Sequence, residues 1–358
     1  MLGSIGPELL LDRRTLLAGG AAMGLIAPAA AAAHPEIIVS TSGRSGTQPT
    51  LTAALAVARS LRRPASIRIE AGLYQEKPIV DIPDLHIAGE GPDSVISFGA
   101  AAGLLDPQGR KWGTGGSATL TVTAPGVTLA RMTIRNSFDY LKDKVTNAIG
   151  GTQAVALSVA RGADRMIVRD CTIQGYQDTL YVQEMCRAWF SGCRISGNVD
   201  FIFSGATALF DRCELKSRFA PGAAIQGYIA APSTPINVSA GFVFEKCNLI
   251  REALVPDHSV FLGRPWRAGG NMRLLGAAAF LDCWMDAHIF NEGWSAMGYT
   301  NPAGIRTQLT PQEARLFEGG SVGPGAAHSS PTRRLLSTDE MPFFRRDHLF
   351  GDWHPWSC

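Results

Sequence analysis

A repeat in the middle of the chain constrains the fold more than any other feature. Asp170-Cys171-Thr172-Ile173-Gln174-Gly175-Tyr176-Gln177-Asp178 aligns with Gly192-Cys193-Arg194-Ile195-Ser196-Gly197-Asn198-Val199-Asp200. Arg212-Cys213-Glu214-Leu215, Lys246-Cys247-Asn248-Leu249 and Asp282-Cys283-Trp284-Met285 open in the same way, and Met132-Thr133-Ile134 fits the same slot earlier. Cys171, Cys193 and Cys213 are spaced by 22 and 20 residues. A period near 20 carried by strand-like segments is the mark of a parallel β-solenoid. Each coil returns the chain to the same place, one strand spacing of about 4.8 Å further along. The expected class is all-β: a single-stranded, right-handed parallel β-helix.

The flanking sequence agrees with this. From Pro35 onward, short runs rich in β-branched residues recur between Gly, Asn, Asp and Pro, as in Ile37-Ile38-Val39-Ser40, Ser66-Ile67-Arg68-Ile69 and Leu120-Thr121-Val122. Thr50 to Arg62 is the exception. Its apolar positions Leu51, Ala54, Leu55, Val57, Ala58 and Leu61 fit a helical stripe, expected to cap one open end of the stack. The 358 residues are long for one globular core but ordinary for one elongated repeat domain.

At the N-terminus, Arg13-Arg14 precede an apolar run from Thr15 that ends in Ala31-Ala32-Ala33. Charge, apolar run and small-residue end, in that order, read as a twin-arginine export signal over residues 1–33. The catalytic domain is then expected over 34–358, in the periplasm or outside the cell. No later run of about 20 apolar residues suggests a membrane span. Formal charge is only +2, from 33 basic and 31 acidic residues with no like-charge block, which argues against nucleic acid as a partner. The seven histidines show no metal-ligand spacing, and no metal or cofactor is expected.

Seven cysteines in an exported chain allow disulfides, with at least one left over. Two readings of the cysteine ladder stand side by side: an inward stack of small apolar side chains, or a bridge between neighbouring coils, Cys193 to Cys213, which strand spacing permits.

The same repeat places Asp178 and Asp200 seven residues after their cysteines, in equivalent slots on adjacent coils. Two carboxylates about 5 Å apart disfavour joint ionisation and readily share one proton, so one can donate while the other attacks. The plain alternative is a solvated acidic patch. Gln177, beside Asp178, and Gln153, about one coil earlier, offer amide donors for a developing oxyanion. Arg264 can hold one carboxylate ionised through a bidentate contact, and Trp266 offers a flat surface for a sugar.

Five blocks in order resemble the signatures of the pectin methylesterase family. They are Gly72-Leu73-Tyr74-Gln75-Glu76, the run from Gln153 to Leu157, Gly175-Tyr176-Gln177-Asp178-Thr179-Leu180-Tyr181, Asp200-Phe201-Ile202-Phe203 and Leu262-Gly263-Arg264-Pro265-Trp266. The resemblance runs from about Thr41 to Trp353. It looks closest to bacterial members through Lys111-Trp112-Gly113-Thr114 and Ala230-Ala231-Pro232-Ser233-Thr234. It implies the following roles, with pectin, methyl-esterified homogalacturonan, as substrate and a monomer as the working form. Asp200 resembles the nucleophile, and Asp178 the acid that protonates methanol and then the base that activates water. Gln153 and Gln177 resemble the oxyanion donors, and Arg264 the partner of Asp200. Trp266, Tyr181, Phe203, Tyr228, Thr114 and Met297 resemble cleft residues that meet the sugars. One departure is visible: Ser204 stands before Gly205 where the family has glycine directly after the second phenylalanine, a side chain expected to narrow a subsite.

Three rival readings remain. Gly319-Gly320-Ser321-Val322-Gly323 matches the serine-hydrolase pattern, but a nucleophile elbow needs a following helix, and Pro324-Gly325 follows instead. A polysaccharide lyase on the same fold would use the acidic pair to hold calcium. A catalytically weak envelope relative that only binds carbohydrate would not need the full constellation. Asn237-Val238-Ser239 is a glycosylation triplet, without a role in a bacterial export route.

Overall fold

A computed structural model of the chain describes residues 35–61, 63–326 and 332–357. The export signal expected over 1–33 lies outside the described residues. No described helix is long and apolar enough to cross a membrane.

Short strands run in three parallel sheets of eleven, eight and seven strands, and within each sheet hydrogen-bonded neighbours are three strands apart in sequence over almost the whole length. That rule defines a right-handed parallel β-helix with three strands per coil. The register confirms the repeat. Thr133, Thr172, Arg194, Glu214, Asn248 and Trp284 stand in line on successive coils of the eight-stranded sheet. The residue before each repeat cysteine is held at positive φ, from 51° to 62° across Asp170, Gly192, Arg212, Lys246 and Asp282, so the same left-handed corner recurs and keeps the coils superposed.

Two interior ladders fill the coils. Phe190, Phe210, Phe244 and Phe280 stack with ring centroids 4.3–4.8 Å apart. Beside them Cys171, Cys193, Cys213, Cys247 and Cys283 form a ladder of free, buried thiols. The bridge between Cys193 and Cys213 is therefore not formed. The sulfurs of Cys193, Cys213 and Cys247 instead point at a carbonyl of the preceding coil, donating to Val168 O (3.4 Å), Phe190 O (3.5 Å) and Phe210 O (3.2 Å). Identical slots project side chains in parallel, which suits stacking rather than pairing.

The helix Leu51–Leu61 closes one end, with Leu51, Ala54, Leu55 and Ala58 buried at the spacing of one helical face. Glu76 accepts from the amides of Leu51 (2.7 Å) and Thr52 (2.9 Å), satisfying donors that a helix start leaves free. The C-terminal segment lies along the outer face of the eleven-stranded sheet, where Leu336, Met341, Phe344, Phe350, Trp353 and Trp356 cover Trp189, Leu209, Val243 and Phe317.

Ser321 is no nucleophile elbow. It follows the strand Arg315–Gly319 in a loop, no helix directly succeeds it among the described residues, and its Oγ accepts from the amide of Cys283 (3.2 Å).

Candidate active site

The seven-stranded sheet carries the site on its outer face. The strands Leu180–Val182 and Ile202–Ser204 pair in register, Leu180 opposite Ile202, so Asp178 and Asp200 fall opposite each other just before them. The amide of Asp178 donates to Val199 O (3.0 Å), locking the two turns together. Both aspartates have positive φ, 60° and 50°, a conformation aspartate tolerates better than most side chains. The turn before Asp200 is tight: a Cβ on Gly197 would lie 2.3 Å from Phe201 Cβ and 2.6 Å from Tyr176 O.

Both carboxylates are buried, with Asp178 8% and Asp200 7% exposed, which excludes a solvated acidic patch. They form the floor of a cavity of about 420 Å³, which Gln153, Gln177, Tyr181, Phe203, Ala231, Arg264, Trp266, Met297 and Thr114 line with them. Arg264 follows the strand Val260–Gly263. Its Nε donates to Asp200 Oδ1 (2.9 Å) and its Nη2 to Oδ2 (2.6 Å), the bidentate contact expected from the sequence. Gly263 permits this placement, because a Cβ there would lie 2.3 Å from Ala230 O.

Burial pushes both carboxyls upward. For Asp178 the shift is large, burial being joined by the charge of Asp200 and opposed by Arg264. For Asp200 burial also wins, but the hydrogen bonds and charge of Arg264 pull it back. The two acids are thereby separated, with Asp178 the better holder of a proton.

The amide oxygen of Gln177 is already engaged, accepting from Thr152 Oγ1 at 2.7 Å. Its NH₂ is thus the end left for a guest in the cavity. Gln153 sits one coil back, since the amide of Ala154 donates to Gln177 O (3.1 Å). Tyr181 and Phe203 stack at 4.4 Å with only 8° between their planes, and Trp266 tilts over Phe203 at 6.1 Å, forming an aromatic wall. Thr114, on the short helix Gly113–Gly116, and Met297, on the hairpin strand Met297–Thr300, supply the rim.

Tyr228 and Ser204 stand next to residues that line the cavity. The ring of Tyr228 lies 3.9 Å from the guanidinium of Arg264 and stacks on Phe261 at 5.5 Å. Ser204 is buried at 4% and interacts with Tyr181. Its φ of 97° is a conformation that suits glycine. Thr152 and Ala231 were not singled out from the sequence. Ala231 lies within a quoted block, whereas Thr152 carries no local signal beyond its place next to Gln153.

The pectinesterase family model matches residues 36–309. Pectinesterase A of Dickeya dadantii is 37% identical over 344 residues, covering 91% of this chain and 93% of its own. A crystal structure of a pectin methylesterase in complex with a hexasaccharide superposes with a TM-score of 0.85 at 38% identity, over 90% of this chain and 99% of the other. The pectin methylesterase from Yersinia enterocolitica gives 0.82 at 37% identity, over 86% and 99%. With the fold, the ordered blocks and nearly the full length in common, the chain belongs to the pectinesterase family.

Proposed function

We propose that the chain hydrolyses the methyl esters of galacturonate in pectin, releasing methanol and leaving de-esterified homogalacturonan, with Asp200 as nucleophile and Asp178 as acid and base. The observation that carries this reading is the asymmetric pair: two buried carboxyls in register, of which only Asp200 is clamped by Arg264. A carboxylate held ionised beside a carboxyl kept protonated is the set that a two-step ester hydrolysis needs.

In the first step an oxygen of Asp200 bonds to the ester carbonyl carbon. The carbonyl oxygen takes up negative charge beside the amides of Gln177 and Gln153, which stabilise it. The bond to the methoxy oxygen then breaks, and methoxide leaves as methanol with the proton of Asp178. In the second step Asp178, now ionised, takes a proton from water as the water oxygen attacks the anhydride. Asp200 departs as carboxylate and the galacturonate acid is released. The aromatic wall and Trp266 hold the sugars, and Thr114 and Met297 bound the ends of the subsite.

The arginine pair and apolar run within residues 1–33 support export to the periplasm or beyond. Methanol release and double-bond formation, followed separately on methyl-esterified pectin with wild type and Asp200→Asn, test the function. Methanol without unsaturation, abolished in a folded Asp200→Asn variant, is the expected result. Unsaturated product would favour elimination, and full activity of Asp200→Asn would remove it as nucleophile.

A further inference from the structure

A second cavity, of about 540 Å³, lies on the eight-stranded sheet, and no residue lines both it and the catalytic cavity. One turn separates the two. Tyr176 faces the second cavity while its neighbour Gln177 faces the first. The floor is a single outward row on four consecutive coils: Arg135, Gln174, Ser196 and Lys216 stand in register. Three strand spacings put the two cations about 14 Å apart along the helix axis.

Neither cation is ion-paired among the described residues, and the groove is lined by three cations, Arg135, Lys216 and Arg218, against two acids, Asp139 and Glu252. Among the described residues Arg135 makes one side-chain hydrogen bond, to Ser97 Oγ at 3.3 Å, and no ion pair, and Lys216 makes neither. Both are half-buried, so neither is a freely solvated surface charge. Of the two acids, Glu252 is paired, taking Arg218 Nε (3.2 Å) and the amide of Phe219 (2.9 Å), whereas Asp139 accepts from the amide of Lys142 (3.1 Å) and keeps its charge, so the lining carries a net positive charge of one. Arg218 itself lies 3.7 Å from the ring of Tyr176 and donates to its hydroxyl at 2.8 Å, fixing one wall.

We propose that this groove is a second polysaccharide site, for an anionic uronate oligosaccharide laid along the helix axis. Carboxylates of separate sugar units meet Arg135 and Lys216, hydroxyls meet Gln174 and Ser196 between them, and Tyr176 bounds one side. The occupant follows from charge. A fully methyl-esterified stretch is neutral and gains nothing from two lone cations, whereas a de-esterified stretch offers carboxylates at repeating intervals. Identifying that stretch with the product of the chain's own catalytic site rests on the function proposed above. The groove would then hold the enzyme on pectin that it has already demethylated.

The test is calorimetric titration of the protein with hexagalacturonate, and in parallel with its fully methyl-esterified counterpart, at low and high salt. The proteins are wild type, Arg135→Gln/Lys216→Gln and, as a cleft variant, Trp266→Ala, each titrated in an Asp200→Asn background so that the methyl esters are not hydrolysed in the calorimeter cell, and assayed for methanol release without it. The expected result is a salt-sensitive hexagalacturonate component that Trp266→Ala retains and that the double variant weakens about tenfold or more, as loss of charge-assisted contacts predicts. Methanol release from a short methyl-esterified oligomer should stay unchanged in the double variant. Lys216→Gln alone gives the same readout in smaller degree should the double variant fold poorly. Identical isotherms for wild type and the double variant, absence of the component in wild type, or equal binding of the methyl-esterified hexamer by the groove would each overturn the proposal. A wild type that releases no methanol would overturn the proposed function instead, and the groove titration would still read.

Discussion

Gln177 offers the sharpest test of the proposed chemistry, because the structure names the residue that aims it. With its oxygen held by Thr152 Oγ1 at 2.7 Å, Gln177 can present only its NH₂ to the cavity. Gln177→Ala removes an oxyanion donor, and loss of one such donor lowers kcat by about 10²–10³, or about 2.7–4 kcal/mol. KM should change little, since the charge that the amide meets exists only in the transition state. Thr152→Val keeps the shape and removes only the aiming hydrogen bond, a neutral contact contributing about 0.5–1.5 kcal/mol, so kcat should fall by about two- to tenfold. The two effects run through one group and should not add: Thr152→Val/Gln177→Ala should be no slower than Gln177→Ala alone. Steady-state methanol release on pectin, with circular dichroism to check folding, measures all four corners of the cycle. A Gln177→Ala variant altered only in KM would make this residue a ground-state sugar ligand. Full additivity in the double variant would show that Thr152 acts on something other than Gln177.

Further outcomes follow from the carboxylate pair and the corners. In Arg264→Ala, burial acts on Asp200 unopposed, so its pKa rises and the nucleophile needs a higher pH to ionise. The acidic limb of the kcat/KM profile should move upward, and an unmoved limb in a folded, active variant would show that Arg264 does not keep Asp200 ionised. Ser204→Gly should raise Tm by relieving the φ of 97°, a gain of about 1 kcal/mol after the greater unfolded-state entropy of glycine; a lower Tm would mean that the serine side chain stabilises more than its backbone strain takes away. Because Cys193 and Cys213 stack as free thiols, a strong reductant should leave Tm and activity unchanged; a drop in Tm on reduction would restore the bridge.

Much of this was legible in one dimension because a solenoid turns sequence period directly into spatial neighbourhood. The alignment of Asp170–Asp178 with Gly192–Asp200 predicted that the two aspartates face each other, and the register bears it out. The capping helix was legible for the same reason of period, at 3.6 residues instead of a coil. Arg264 lies 64 residues from Asp200 and outside the clean part of the repeat; its partner came from family resemblance and from the chemistry of guanidinium and carboxylate, and the bidentate contact is there. What the repeat leaves open is direction. Repeat position says which coil a side chain belongs to but not what lies beyond its tip. Thus Tyr228 packs on Arg264, Ser204 lies buried beside Tyr181, and Cys193 and Cys213 stack without bonding.

By itself the sequence determined the coil, the in-register pair of aspartates and the amides beside them, because strand spacing and side-chain alternation are properties of the backbone and repeat with it. Only the tertiary structure decided how deeply both aspartates are buried, that Thr152 aims Gln177, and that Arg135 and Lys216, on a face of their own, make no ion pair among the described residues. Burial and partnership depend on the loops that leave each coil and return over it. Those loops differ from coil to coil, so no period carries their geometry.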